Sequence, residues 1–328
     1  MSDEGRAKHA AADGFPMDPR TKSMPGARTA AYTLGLDLGG TSVKSVAVTS
    51  SGETLGRFHE PFDLGQPMAF ARCVASVVAQ ASDALGTPMR IGLSAPGIAA
   101  KDGRSIAVMP GRFDGLEGLV WAGFLSRPDG VPVLNDAHAA LLGEVWLGAA
   151  RGCRDVLLLT LGTGVGGAAM SDGRLLRGHF GKAGHLGHVS LDPEGAPDIC
   201  GTPGSLEDAI GNHNIAARTG GRFGTTHDLI LACADGDAAA REVWQRSLRA
   251  LAAALVSFGN VLDPEVVILG GGIARADEAL FTPLQDLLAT REWRPGGQGM
   301  RLVAALLGEH AGAYGAAWNA ALSPTDTR

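Results

Sequence analysis

LGLDLGGTSVKSVAVTSSGETLG, residues 34–56, and DVLLLTLGTGVGGAAMSDGRLLRG, residues 155–178, are written on one plan. Each opens with an apolar run, turns through glycines, continues as a second apolar strand and closes on a Ser-Gly or Asp-Gly hairpin turn. Gly39 matches Gly162 across 123 residues, and Gly52 matches Gly173 across 121. A strand-turn-strand unit recurring at a domain-sized interval predicts duplicated α/β domains with a ligand cleft between them. Spacing alone also leaves open a chance likeness of two glycine-rich hairpins.

Outward from these units, the pattern predicts helices at 69–86 and 137–150 and strands at 89–95 and 131–135. Beyond the second unit, helices are expected at 205–217, 226–234 and 237–262. The strand PEVVILGGG at 264–272 follows, then a helix near 275–290, a strand at 301–306 and a helix at 311–322. Residues 1–30 lack apolar periodicity and read as a mobile tail. The division expected is an N-terminal domain at 31–136, completed by the C-terminal segment 311–328, and a C-terminal domain at 137–310.

The chain has 328 residues, with 28 Lys and Arg against 34 Asp and Glu, a net charge of −6. That balance argues against coating nucleic acid or an anionic membrane. The 45% hydrophobic content suffices for two packed cores. Four dispersed cysteines form no disulfide framework, and no leader or membrane-length apolar run is evident, so a reducing cytoplasm is expected.

The chemistry gathers at strand ends. Asp37, Gly39, Gly40 and Thr41 follow an apolar strand, where glycines admit an anion to backbone amides, an aspartate holds a water-bound magnesium ion, and Lys44 adds a positive charge. Gly162, Thr163 and Gly164 form a second such turn, and Gly270, Gly271 and Gly272 a third. Neither fits a Walker A or dinucleotide pattern. Three glycine turns suit a nucleotide with phosphates held between two domains; the plain alternative is hairpins whose glycines satisfy positive φ. Asn135-Asp136 precedes a helix, so Asp136 is either an N-cap or a carboxylate accepting the proton of an attacking hydroxyl, with Asn135 orienting that hydroxyl. His185, His188, Asp198, Cys200 and Glu207 crowd a loop rich in glycine and proline.

Taken in order, DLGGT at 37–41, LND at 134–136, LGTGVGG at 161–167, GH at 187–188, CGTPGSLE at 200–207 and LGGGI at 269–273 resemble the ROK family of sugar kinases, over residues 33 to 322. The resemblance implies two duplicated actin-like ATPase (ribonuclease H-like) domains, ATP and Mg²⁺ near Asp37, Asp136 as general base, and a sugar held by Asn135, Asp136, His188 and Glu207. A homodimer is the family default. Three departures stand out. The glutamate of the family's E-x-G-H motif is His185; the three zinc cysteines read as Asp198, Cys200 and Ser205, so no structural zinc is expected; and Pro110 is followed by Gly111 and Arg112 where the family carries a sugar-binding asparagine. Two paired histidines in a substrate motif favour His185 as a sugar contact. Rival readings are a sugar-responsive repressor, for which the 30-residue tail is too short to hold a winged helix, a binding protein that has lost catalysis, and a kinase using polyphosphate.

Overall fold

A computed structural model describes residues 30–111 and 113–322; the predicted tail before Ala30, Arg112, and residues 323–328 lie outside them. Strands β1 (Thr33–Leu38), β2 (Ser42–Val48) and β3 (Thr54–Pro61) form an antiparallel meander. Helix α1 (Ala69–Leu85) then leads to β4 (Arg90–Ala95), parallel to β1. A hairpin of β5 (Ile98–Ala99) and β6 (Ile106–Val108) and one helical turn, α2 (Trp121–Phe124), precede β7 (Val133–Asn135), parallel to β4. The first sheet therefore runs β3-β2-β1-β4-β7.

After α3 (Asp136–Leu147) the plan repeats. β8 (Val156–Leu161), β9 (Val165–Ser171) and the two-residue β10 (Arg174–Leu175) are antiparallel, and β11 (Val266–Gly270) and β12 (Arg301–Ala304) join in parallel. The order β10-β9-β8-β11-β12 reproduces the first sheet strand for strand, which disposes of chance hairpin likeness. Four helices fill the link from β10 to β11: α4 (Leu206–Ile210), α5 (Ile215–Arg218), α6 (Thr226–Ala234) and α7 (Ala238–Leu262). α8 (Glu278–Arg291) connects β11 to β12, and α9 (Ala311–Ala321) comes last. Among the described residues no helix is long and apolar enough to cross a membrane.

The alternation along β1 explains the layering. Leu34, Leu36 and Leu38 join Ile91 and Leu93 of β4 in a core with Phe70, Val74 and Val77 of α1. The opposite face carries Gly35 and Gly92, and there α9 lies at backbone distance: a Cβ on Gly35 would stand 1.8 Å from the Ala313 carbonyl oxygen. α9 crosses α3 just as closely at Gly143 and Gly315. α3 covers one face of the second sheet through Leu141 and Leu142, against Leu158 and Ile268. α7 and α8 cover the other through Leu251, Leu255 and Leu284, against Leu159 and Leu269. The layers are thus α1, first sheet, α9 with α3, second sheet, α7 with α8.

The predicted helix at 205–217 is broken at Gly211 into α4, a 3₁₀ turn and α5. The break frees backbone for another use: the amides of Asn212 and His213 donate to the carbonyls of Gly162 and Thr163 at 2.9 and 2.8 Å. A 3₁₀ turn at Ile273–Ala276 likewise precedes α8, where a helix was expected to begin at 275.

Candidate active site

The two carboxylates singled out in the sequence stand at strand ends, Asp37 near the end of β1 and Asp136 just past β7. Asp37 lies one residue from the end of β1 on the glycine-lined face, where Gly312 of α9 leaves it room: a Cβ there would stand 2.7 Å from Oδ1. Ser94, its partner across β1–β4, donates to Asp37 Oδ1 at 2.7 Å. Burial pushes the Asp37 carboxyl up to about 6; the Ser94 bond opposes this, the charge of Asp136 adds to it, and Lys44 opposes it.

Asp136 is the first residue of α3. The two readings of the Asn-Asp pair divide between its members, because Asn135 is the N-cap, its Oδ1 accepting from the amides of Ala137 and His138. Asn135 Nδ2 donates to Asp136 Oδ1 at 2.8 Å and to the Gly97 carbonyl at 2.9 Å. Its amide is thereby fully engaged and sets the position of Asp136 instead of standing open to a hydroxyl. Asp136 Oδ1 also accepts from the Ala137 amide at 2.8 Å. Water reaches Asp136 although protein crowds round it. Burial raises its pKa, against the Ala137 amide, the charge of His185 and the Asn135 side chain.

A pH-dependent stability difference follows. A carboxyl whose folded pKa is raised makes the folded state bind more protons than the unfolded one between about 4 and 6, so stability falls as pH climbs through that window. Asp37→Asn mimics the protonated form. It should raise the melting temperature at pH 8, by an amount corresponding to no more than about 3 kcal/mol, and leave it unchanged at pH 4. Equal melting of variant and parent at both pH values would contradict the assignment.

The glycine turns are not held by positive φ: Gly39, Gly162 and Gly164 all lie outside that region. Instead they give room. Nothing stands within 4 Å of a Cβ built on Gly162 or Gly272. Gly271 does have positive φ, at 86°, and its would-be Cβ lies 2.3 Å from the Leu161 carbonyl oxygen, so the second and third turns meet backbone to backbone. Beside them opens a cavity of about 680 Å³, lined by Gly162, Thr163, Asn212, Thr225, Ile230 and Arg275 among others. A second, of about 480 Å³ and bounded by Thr160, Gly270, Gly271 and Glu309, shares Gly272 and Arg275 with it. Thr160 occupies in β8 the place of Asp37 in β1. Lys44 is paired with Glu309 at 2.7 Å and so is not a free cation. Asn212, Thr225, Ile230 and Arg275 were not singled out in the sequence; the glycine breaking 205–217 was the available signal.

The loop at 183–207 splits its predicted ligands. His138 of α3 is buried and held near pKa 4, burial outweighing its bond to the Ala183 carbonyl at 2.8 Å, and it ties the loop to the helix that Asp136 begins. His185 Nδ1 lies 3.1 Å from the Lys182 carbonyl oxygen, and burial lowers its pKa. A carbonyl can only accept, so Nδ1 carries the proton and the neutral ring keeps Nε2 as an acceptor. Glu207 Oε2 accepts from the Val165 amide at 2.8 Å, next to Gly164, where a Cβ would stand 2.4 Å from that oxygen. Glu207 therefore joins the loop to the second glycine turn.

His188 turns to the loop itself. Its Nδ1 meets Asp198 Oδ2 at 2.8 Å and its Nε2 lies 3.5 Å from Cys200 Sγ, so both ring nitrogens are engaged there. Asp198 Oδ1 accepts from the amides of Cys200 and Thr202 at 2.8 and 2.9 Å. Burial would raise the Asp198 carboxyl, but the bonds from His188, Thr202, Ser205 and Cys200 prevail and hold it at about 2. Ligand atoms of His188, Asp198 and Cys200 lie within 4.8 Å of one another. They do not fit the family's zinc site: the carboxylate is already saturated, burial raises the lone thiol's pKa, and Ser205 caps α4. A hydrogen-bonded carboxylate holds the loop where thiolates would hold a metal. A chelator should therefore leave the melting temperature within 1–2 °C, whereas Asp198→Ala should lower it by about 5 °C or more, since bonds to a charged group contribute ~1.5–3 kcal/mol each. A large shift with chelator would overturn this account.

Comparison with known proteins agrees with this geometry. Residues 33–322 match the ROK family. A glucokinase from Halalkalibacterium halodurans is 31% identical over 326 residues, 88% of this chain and 94% of that protein. A ROK hexokinase from Thermus thermophilus superposes with a TM-score of 0.77 at 32% identity, covering 90% of this chain and 99% of that one. A ROK family glucokinase from Streptomyces griseus, solved with glucose and AMPPNP, gives 0.71 at 27% identity, covering 88% and 99%. Duplicated sheets, paired glycine turns and a family match over nearly all the described residues lead to one conclusion: the chain belongs to the ROK family and is a sugar kinase.

Proposed function

We propose that the protein transfers the γ-phosphoryl group of ATP to a hydroxyl of a hexose or a related sugar, with Asp136 as general base. The observation that carries this reading is the state of Asp136. Asn135 and the Ala137 amide hold Oδ1, and among the described residues no other residue donates to Oδ2. Asp136 stays exposed to water, and burial by the surrounding protein raises its pKa, which suits a group that must accept a proton and later release it.

The rest of the site supplies position and charge. The turns at Gly39–Thr41 and Gly162–Gly164 take the phosphates, and the cavity beside Gly272 takes the nucleoside. Asp37 fits a magnesium ion held through water, because an added cation relieves the burial and the Asp136 charge that raise its pKa. When bound, the ion would neutralise charge on the phosphates. His185 Nε2, an acceptor, stands in for the family carboxylate toward a sugar hydroxyl, and Glu207 couples sugar binding to the phosphate turn. The first half of the chain completed by α9, and residues 137–310, are the two bodies that close over the substrates and exclude water.

A coupled assay of ADP release with Mg·ATP across hexoses, amino sugars, N-acetyl sugars and ketoses tests this. Turnover on one sugar supports the reading. Turnover with polyphosphate but not ATP changes the donor, and silence with both overturns it.

A further inference from the structure

Away from Asp136 lies a cavity of about 580 Å³, at the opposite ends of β4 and β7. Arg90 begins β4 and Val133 begins β7, so roughly a strand length, about 10–17 Å, separates this cavity from the reacting centre. Arg90, Lys101 and Arg104 line it from the first half of the chain. Arg177, just past β10, lines it from the second half, with Asn319 of α9 between. Arg177 and the β5–β6 hairpin run close together: a Cβ on Gly103 would stand 4.0 Å from Arg177 Nη1.

The charges here run against the balance of the chain. The chain is acidic, at −6, yet four cations and two carboxylates line this cavity. Both carboxylates are already engaged. Asp129 is gripped by Arg127 at 3.0 and 2.9 Å, and Asp102 accepts from the Arg104 amide at 3.0 Å. Among the described residues the side chains of Arg90, Lys101, Arg104 and Arg177 form no ion pair or hydrogen bond. Arg177 is half-buried, so its guanidinium has lost water without gaining an acceptor.

We infer that this cavity binds a small phosphate monoester, bridging Arg177 of the second half to the cations of the first. Guanidinium groups grip phosphate and carboxylate oxygens two by two, but a phosphate monoester carries nearly two charges and three acceptor oxygens on one small centre, enough to be shared by cations converging from both halves. An anion spanning both halves fixes the angle between the two sheets. Its binding is then coupled to closure over the sugar, and the effect falls on sugar KM while kcat is preserved.

Calorimetric titration of the full chain with inorganic phosphate and with a hexose monophosphate tests this, with the cleft first filled by AMPPNP and sugar. Expected is saturable binding at one site, weakened at least tenfold in Arg177→Gln and in Arg104→Gln. Sugar KM should shift with the monoester in the parent and stay fixed in both variants. Undiminished binding in both variants, or no saturable binding in the parent, would overturn the inference. Citrate binding as tightly as the monoester would overturn the choice of phosphate.

Discussion

Asp136→Asn should lower kcat by about 10³-fold while changing nucleotide affinity less than about twofold. Loss of a positioned general base has an effect of ~10²–10⁴. The substitution is mild for the fold. An amide oxygen at the same place still accepts from Ala137 and from Asn135, the contacts that hold the side chain now. Lost are the charge and the ability to take a proton. In the parent, kcat should fall as the solution is acidified, beginning above the ordinary carboxylate range, because burial raises the pKa of Asp136 and protonation removes the base. That acid limb should be absent from the residual activity of the variant. Comparison of kcat, sugar KM and nucleotide binding across the pH range checks both points; near-parental kcat would move the base elsewhere.

Gly315→Ala should lower the melting temperature by at least about 10 °C or prevent folding. Inside a helix this exchange is favourable by ~1 kcal/mol when space is free. Here it is not free: the new methyl would stand 1.7 Å from the Ala139 carbonyl oxygen and 2.9 Å from the Gly143 amide nitrogen. Both obstacles are backbone, so no side-chain rotation relieves them, and α9 and α3 must separate. These helices are the middle layer between the sheets, and one of them begins with Asp136. A loss above about 5 kcal/mol is expected, at ~2 °C per kcal/mol for a chain of this size. Gly123→Ala is the control, since nothing lies within 4 Å of its Cβ. Thermal melts of both variants decide, and a stable Gly315→Ala would contradict the close crossing.

Local pattern carried much of this architecture. The β1–β2 unit and its β8–β9 copy announced themselves because buried strands must be apolar and glycine turns must be open. The helix at 226–234 was legible to its last residue for the same reason. What escaped was decided by distant contacts. Gly211 broke the expected helix because Asn212 and His213 bond to a turn about 50 residues earlier. The cavity beside Gly272 draws its walls from residues 162–276, with no local motif to mark Thr225 or Ile230. The Asn-Asp pair was ambiguous because cap and base favour the same residue types; only geometry gave the cap to Asn135 and left Asp136 open. His188 matched a motif whose metal ligands had changed around it, and Asp198 redirected it.

Phosphorus NMR of the protein with ATP, magnesium and the sugar that turns over in the panel tests the central claim most directly. The account predicts that the γ-phosphate signal falls as a sugar monoester signal rises in equal amount, with ADP formed one for one and none of this in Asp136→Asn. Release of inorganic phosphate without a monoester would contradict it.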